Sequence, residues 1–306
     1  MSRGYQPEEH LDPRVSPPVR VPSPGEPRKP DDVREPASSD ASHPPGHAPD
    51  RFASRSPEPR TVYELRGRTY RLRNSEIATM VELGKFRAVA SKDLAKFVYD
   101  GNNDRMRPDV ENLFRQGLIE MKAIPYELIG SRQLLTLTKN GHRFLVQTQR
   151  AGKSQALYRG FVKPREAHHD ADLYRLYQKA AEKIEREGGR NLRVVLDYEL
   201  KKRLYRDLAK CGKERKSASA KHAVAETHGL KLVRGKIPVP DVRIEYETPD
   251  GERARVDLEL ATGHYRLRNL AEKVLAGFAI YAHADEVSKL RRILDQRELT
   301  AEILSL

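Results

Sequence analysis

Residues 240–265 read PDVRIEYETPDGERARVDLELATGHY, and the turn between two strands is spelled out in the middle. Pro249, Asp250 and Gly251 suit a three-residue hairpin loop. Proline presets the φ of a type I turn, and glycine takes the left-handed position that a Cβ disfavours. A loop of that length fixes the register. Thr248 then faces Glu252, Glu247 faces Arg253, Glu245 faces Arg255, Ile244 faces Val256, Val242 faces Leu258 and Asp241 faces Glu259. Side chains alternate along a strand, so Val242, Ile244, Val256, Leu258 and Leu260 form one apolar face. The other face carries Asp241, Arg243, Asp257 and Glu259, with the cross-strand pairs Glu247/Arg253 and Glu245/Arg255 nearer the turn.

The far end of that polar face needs an explanation. Asp241 opposite Glu259 sets like charges against each other, which is destabilising, and Asp257 lies diagonally beside them with Arg243 to neutralise the three. Either this end is well solvated or something cationic sits there. Asp241, Asp257 and Glu259 are therefore candidate ligands for Mg²⁺, which is held by one or two carboxylates and keeps its waters. A solvent-washed face of flexible carboxylates is the alternative.

The chain totals narrow the classes. A length of 306 residues leaves room for two domains plus tails, and 38% hydrophobic against 33% charged residues fits a chain with a coreless part. A net charge of +13 and a pI near 9.7 point to a polyanionic partner, nucleic acid before membrane surface. Cys211 is the single cysteine, which excludes an intramolecular disulfide and any zinc finger or ribbon. No apolar run reaches the ~18 residues of a membrane span, and the first residues lack the apolar core of a signal peptide. A cytoplasmic protein is the simplest expectation. Residues 1–59 are rich in Pro, Ser, Asp, Arg and His and cannot bury enough surface to offset their entropy, so they are expected to be a disordered tail. Ser16-Pro17-Pro18 within it could serve a protein partner's groove.

Residues 60–150 change character. A short strand or arm over 61–72 precedes three helices. The first starts at Ser75 and buries Ile77, Met80 and Val81; the second starts at Ser91 and buries Leu94, Phe97 and Val98. After the turn at 101–103, Pro108 suits the first turn of the third, whose buried side is Val110, Leu113 and Phe114. Strands near 118–121 and 133–138 and a closing helix from Lys139 follow. Helix, helix, turn, helix and a two-stranded ribbon resemble the winged helix-turn-helix modules of bacterial regulators, on the pieces RPDVENLFRQGLIE and LTLTKNGHRFL. That resemblance implies a third helix in the DNA major groove, with Arg105, Arg107, Asn112 and Arg115 as DNA contacts. It also implies a wing tip near Ser131 and Arg132 reaching backbone or minor groove, and it is compatible with a homodimer.

Residues 151–165 read as a connector, and a second unit occupies 166–306. It opens with a long helix over 171–187, then a strand over 192–196 and a helix over 198–209 carrying Lys201, Lys202, Arg203 and Arg206. Residues 210–221 suit either a mobile DNA-tracking loop or the start of a helix ending near His228. After the hairpin, a helix is expected over 266–283, with another over 287–306 or a strand near 302–306. This α-β-β-β-α order, with Pro240-Asp241 and Asp257-Leu258-Glu259, resembles the PD-(D/E)xK nuclease superfamily. The resemblance implies Mg²⁺ on the acids and a lysine nearby, although position 261, where the lysine belongs, is alanine. Lys273 is the replacement on offer, about 100° around its helix from the buried stripe. Glu199, His168, His169 and His264 are further polar candidates of weaker pattern.

Taken together, the chain is similar to the replication-relaxation family of plasmids and integrative elements, on Pro240, Asp241, Asp257, Glu259, Thr262, Lys273 and Tyr281, over roughly residues 70–285. The expected class is α+β or α/β: a winged helix followed by a nuclease-like α-β-β-β-α domain, behind a disordered tail. The expected partner is DNA. The chemistry is open among DNA binding alone, Mg²⁺-dependent cleavage and transcriptional regulation through a partner-binding second domain.

Overall fold

In a computed structural model, the described residues are 58–125, 130–152, 154–161, 164–262, 267–295 and 303–306. The expected disordered tail, apart from its last two residues, and His264 lie outside them. The described residues open with a hairpin, β1 (Thr61–Leu65) and β2 (Arg68–Leu72). Then come α1 (Asn74–Lys85), β3 (Val89–Ala90), α2 (Ser91–Val98), α3 (Asn103–Arg115), β4 (Ile119–Pro125), β5 (Ser131–Leu137) and α4 (Lys139–Thr148). Strands β3, β5 and β4 form an antiparallel sheet in that order, so helices α1–α3 followed by the β4–β5 ribbon make a winged-helix-like arrangement.

Local chemistry sets these boundaries. Asn102 accepts a hydrogen bond from Arg105 N at 3.0 Å and so starts α3 at Asn103. Pro108 therefore lies inside the helix rather than in its first turn, where the missing N–H would cost nothing. Thr138 caps α4 by accepting from Gly141 N at 3.1 Å. Gly141 is required there, because a Cβ would meet the Leu118 carbonyl oxygen at 2.0 Å.

The second half holds α5 (Pro164–Arg186), β6 (Arg190–Leu196), α6 (Asp197–Lys210), α7 (Ala218–Thr227), β7 (Val242–Glu247), β8 (Arg253–Leu260), α8 (Leu267–Ala276), β9 (Ala279–Ala282), α9 (Ala284–Asp295) and β10 (Ile303–Ser305). The basic run before α7 is a short 3-10 turn over Gly212–Lys216 and then helix. Five strands form one sheet in the order β10-β9-β8-β7-β6; β6, β7 and β8 are antiparallel, and β9 and β10 join parallel. The expected β7–β8 pairings hold: Val242 faces Leu258, Ile244 faces Val256, Glu245 faces Arg255 and Glu247 faces Arg253. Gly251 sits at φ +81 in the loop. The single helix expected over 266–283 is instead α8 and β9, divided at Gly277, whose φ is +84.

Helix α5 crosses β6, β7 and β8 on the apolar face, burying Tyr174, Leu176 and Tyr177 against Val242, Ile244 and Leu258. The same α5 packs against the winged-helix half: the Tyr174 ring meets Phe86 edge-on at 5.2 Å and Phe97 at 6.0 Å. A charged network closes the seam. Arg132 of β5 reaches Asp172 of α5 at 2.8 Å and Asp93 of α2 at 3.1 Å. Arg175 of α5 grips Asp93 through two bonds at 3.0 and 3.1 Å, and His283 meets Asp172 at 3.3 Å. Burial opposes ionisation of Asp172, yet His283 and Arg132 hold its pKa below the ordinary aspartate value.

Removing Arg132 takes one cation from each of two buried carboxylates. Arg132→Met is expected to lower the unfolding free energy by about 3 kcal/mol, read from urea denaturation. A loss under about 1 kcal/mol would mean that Arg175 and His283 satisfy the two carboxylates without Arg132.

Candidate functional site

Two regions concentrate the residues singled out by the sequence. The first is α3. Met106, Val110 and Leu113 are buried beneath it, which leaves Arg105, Arg107 and Arg115 on the exposed side. Phe114, expected in the core, is 49% exposed, since Met106 and Leu113 already fill the inward face. An aromatic ring in the open on this helix is a feature the periodicity missed; the signal was its place four residues after Val110, at the margin of the stripe.

Asn112 and Arg132 are engaged within the protein itself. The Asn112 amide donates to Glu76 Oε1 at 2.9 Å and to the Arg71 carbonyl at 3.1 Å, tying α3 to α1 and β2. Arg132 is at the start of β5 as expected, but its side chain turns inward to Asp93 and Asp172. Two buried carboxylates attract it more strongly than solvent does.

The second region is the polar face of the β7–β8 hairpin. Helices α6 to α9 pack on this side of the sheet, so Arg243, Asp257 and Glu259 are buried, while Asp241 keeps partial exposure. Each carboxylate there has its own cation. Arg243 grips Asp257 with two bonds, 2.6 and 2.9 Å, and both residues are 3% exposed. Arg243 also donates to the His228 and Gly229 carbonyls, which locks the guanidinium in place. One register step along, the Lys273 ammonium lies 2.7 Å from Glu259 Oε1 and donates to the Val239 carbonyl at 2.9 Å. Glu259 is fully buried.

Asp241 completes this end. Its backbone N–H donates to Glu259 Oε2 at 3.3 Å, and its own Oδ2 accepts from Leu260 N at 3.0 Å. His169 of α5 comes within 3.8 Å of Asp241 Oδ1. Burial acts against a charged His169, but Asp241, Asp170 and Glu259 raise its pKa to about 9. Burial likewise acts against the Asp241 carboxylate, and His169, Lys273 and the Leu260 N–H hold it below the usual range. The neighbouring Asp170 is pushed by burial to about 6, with Arg87 and His169 pulling the other way.

Asp241, Glu259 and Lys273 are thus brought together, while Asp257 is set one step aside with Arg243. Among the described residues no group of three or more His, Cys, Asp or Glu side chains is arranged to hold a metal ion. Two carboxylates, Asp241 and Glu259, are a sufficient set for a water-rich Mg²⁺ but leave no third protein acid. Their charge is already matched by Lys273 and protonated His169. Glu199 is ion-paired with Arg193 and Arg203, and His168 bonds the Pro125 carbonyl, so neither joins the cluster. Tyr281 is in β9 within the core, and Thr262 follows β8.

His169 gives a pH test. Its folded pKa lies above the ordinary 6.5, so the stabilisation is fully present below about 6.5 and is lost as pH rises through about 9. The melting-temperature gap between the native chain and His169→Gln should shrink between pH 6.5 and 10. A constant gap would show that the imidazole acts through packing alone.

No protein-family model matches the chain, and no curated protein does. Among solved structures it is similar to Bacillus subtilis PadR in complex with operator DNA, at 12% identity and a TM-score of 0.23, over 51% of this chain and 92% of that one. It is also similar to smu.1604c from Streptococcus mutans UA159, at 14% identity and a TM-score of 0.20, over 53% of this chain and 85% of that one. Likeness at this level does not extend to function.

Proposed function

We propose that this chain is a DNA-binding protein that lays α3 into the major groove, with a role of the replication-relaxation type that its sequence resembles. The observation that carries the reading is the split of α3: an apolar side anchored by Met106, Val110 and Leu113, and an open side with Arg105, Arg107, Arg115 and Phe114. The arginines suit phosphates and guanine edges, and the ring suits a thymine methyl. A net charge of +13 supplies the long-range attraction.

Affinity for duplex DNA, measured by fluorescence anisotropy, should fall steeply between 50 and 200 mM salt, with the log–log slope reduced by about 0.9 for each phosphate contact removed. Arg105→Ala/Arg107→Ala/Arg115→Ala should weaken binding about tenfold or more without moving the melting temperature. Affinity that is flat with salt, or unchanged in the triple variant, overturns the reading.

A second reading, phosphodiester cleavage, is favoured by the convergence of Asp241, Glu259 and Lys273. In it Asp241 and Glu259 would hold Mg²⁺, which when bound supplies Lewis-acid stabilisation of the charge developing on phosphate. Lys273 would keep Glu259 ionised and present a fixed positive charge beside it. Cleavage of supercoiled plasmid with Mg²⁺ or Mn²⁺, abolished in a folded Asp241→Ala variant, is the expected result. Intact supercoiled, linear and single-stranded DNA with either metal excludes it.

A further inference from the structure

A cavity of about 80 Å³ opens between the β1–β2 hairpin and α4, far from the acidic cluster in sequence and in elements. Its construction follows from two periodicities. In the hairpin, Leu65 faces Arg68 and Tyr63 faces Tyr70, so these four side chains share the face turned to α4. On α4, Asn140, Arg143, Phe144 and Gln147 follow the i, i+3, i+4, i+7 spacing of one helical face. The Phe144 ring is clamped edge-on by Tyr63 at 5.3 Å and Tyr70 at 5.7 Å, which fixes the distance between the walls.

The lining is unusual in its charge. Leu65, Tyr70 and Phe144 supply apolar surface, and everything else is a donor-rich side chain: Arg66, Arg68, Arg143, Asn140 and Gln147. Three arginines, Arg66 and Arg68 exposed and Arg143 half-buried, are among the lining residues of one small cavity, and no carboxylate is. None of the three guanidiniums makes an ion pair or hydrogen bond among the described residues, whereas those of Arg60, Arg73, Arg132, Arg175, Arg193 and Arg243 all do. Arg66 adopts φ 49 at the hairpin tip, a left-handed position usually filled by Asn, Asp or Gly. Water screens these partly exposed charges, but their positive potentials add over the cavity and favour an anion shared among them.

We propose that this pocket is a phosphate-binding site in which Arg66, Arg68 and Arg143 grip the oxyanion and the Asn140 and Gln147 amides complete the donor set. Planar guanidiniums match a phosphate oxyanion with paired N–H donors. The phosphate belongs to one of two sources: a phosphodiester of bound DNA, or a small phosphorylated molecule. The first has a route in the fold. Strand β2 runs from the pocket to Arg71, whose backbone is bonded by Asn112 and Gln116 at the end of α3, so a duplex on α3 and a phosphate in the pocket are held in one register.

The test uses the full chain with inorganic phosphate and pyrophosphate as probes, at constant ionic strength with chloride as reference. Thermal shift should show stabilisation by both anions. Arg66→Ala/Arg68→Ala/Arg143→Ala should abolish the shift, about tenfold to a hundredfold in affinity for each bond lost, and the triple lysine variant should restore part of it. Lys213→Ala/Lys216→Ala, on the exposed 3-10 turn, controls for general charge and should keep the shift. Loss of duplex affinity in the triple alanine variant, with pyrophosphate displaced by duplex, assigns the phosphate to DNA. Unchanged duplex affinity with lost pyrophosphate binding assigns it to a small molecule, and this outcome stands whether or not α3 reads DNA. An anion shift that survives the triple alanine variant, or no shift with either anion and unaltered duplex affinity, overturns the proposal.

Discussion

A carboxylate taken out of water must be met by a cation, and much of the second half of this protein is arranged around that demand. Glu259 is fully buried and Asp257 nearly so, on a sheet face covered by helices. Leaving either ion uncompensated would cost several kcal/mol, on the order of a whole domain's net stability. Lys273 answers Glu259 from α8 and Arg243 answers Asp257 from the adjacent strand. The orientation of α8 is thereby coupled to the hairpin, because its amine must reach 2.7 Å from a fixed carboxylate while also donating to Val239.

The same rule joins the halves. Asp93 and Asp172 are each buried below a tenth of their exposed surface, one on α2 and one on α5, and Arg132 is shared between them. A purely apolar seam would tolerate sliding by fractions of a helical turn, whereas a guanidinium bonded to both partners admits one geometry. The Tyr174 ring, held between Phe86 and Phe97, adds area without adding that constraint. The outcome is a core cluster running without a break from α1 through α5 to β8.

What could be read from the sequence was local. The Pro249-Asp250-Gly251 loop determines the register because hairpin geometry depends on a few neighbouring residues, and each pairing from Val242 to Glu247 follows from it. The helices beside the wing were legible for the same reason. The cation at Asp241 was not, since His169 is brought there by tertiary packing with no pattern linking the two, whereas Lys273 at Glu259 was among the residues offered. The expected continuous helix over 266–283 shows the limit of periodicity: Leu270, Val274, Phe278 and Tyr281 keep helical spacing, yet Gly277 at φ +84 ends the helix and the rest pairs as strand. Arg132 was placed correctly in the chain and wrongly in space, because its partners lie on two other elements.

These compensations bear on chemistry as well as stability. Around Asp241 and Glu259 the protein already supplies two positive charges, Lys273 and a histidine whose pKa is about 9. A divalent ion entering there would meet a cluster whose charge is balanced, so its binding would have to displace His169 or reorganise Lys273. Arg105, Arg107 and Arg115 on α3 differ from these in being exposed to solvent. The contrast is one of burial: Arg243 and Lys273 are enclosed with internal acids, whereas the α3 arginines lie at the surface, where the proposed duplex would meet them.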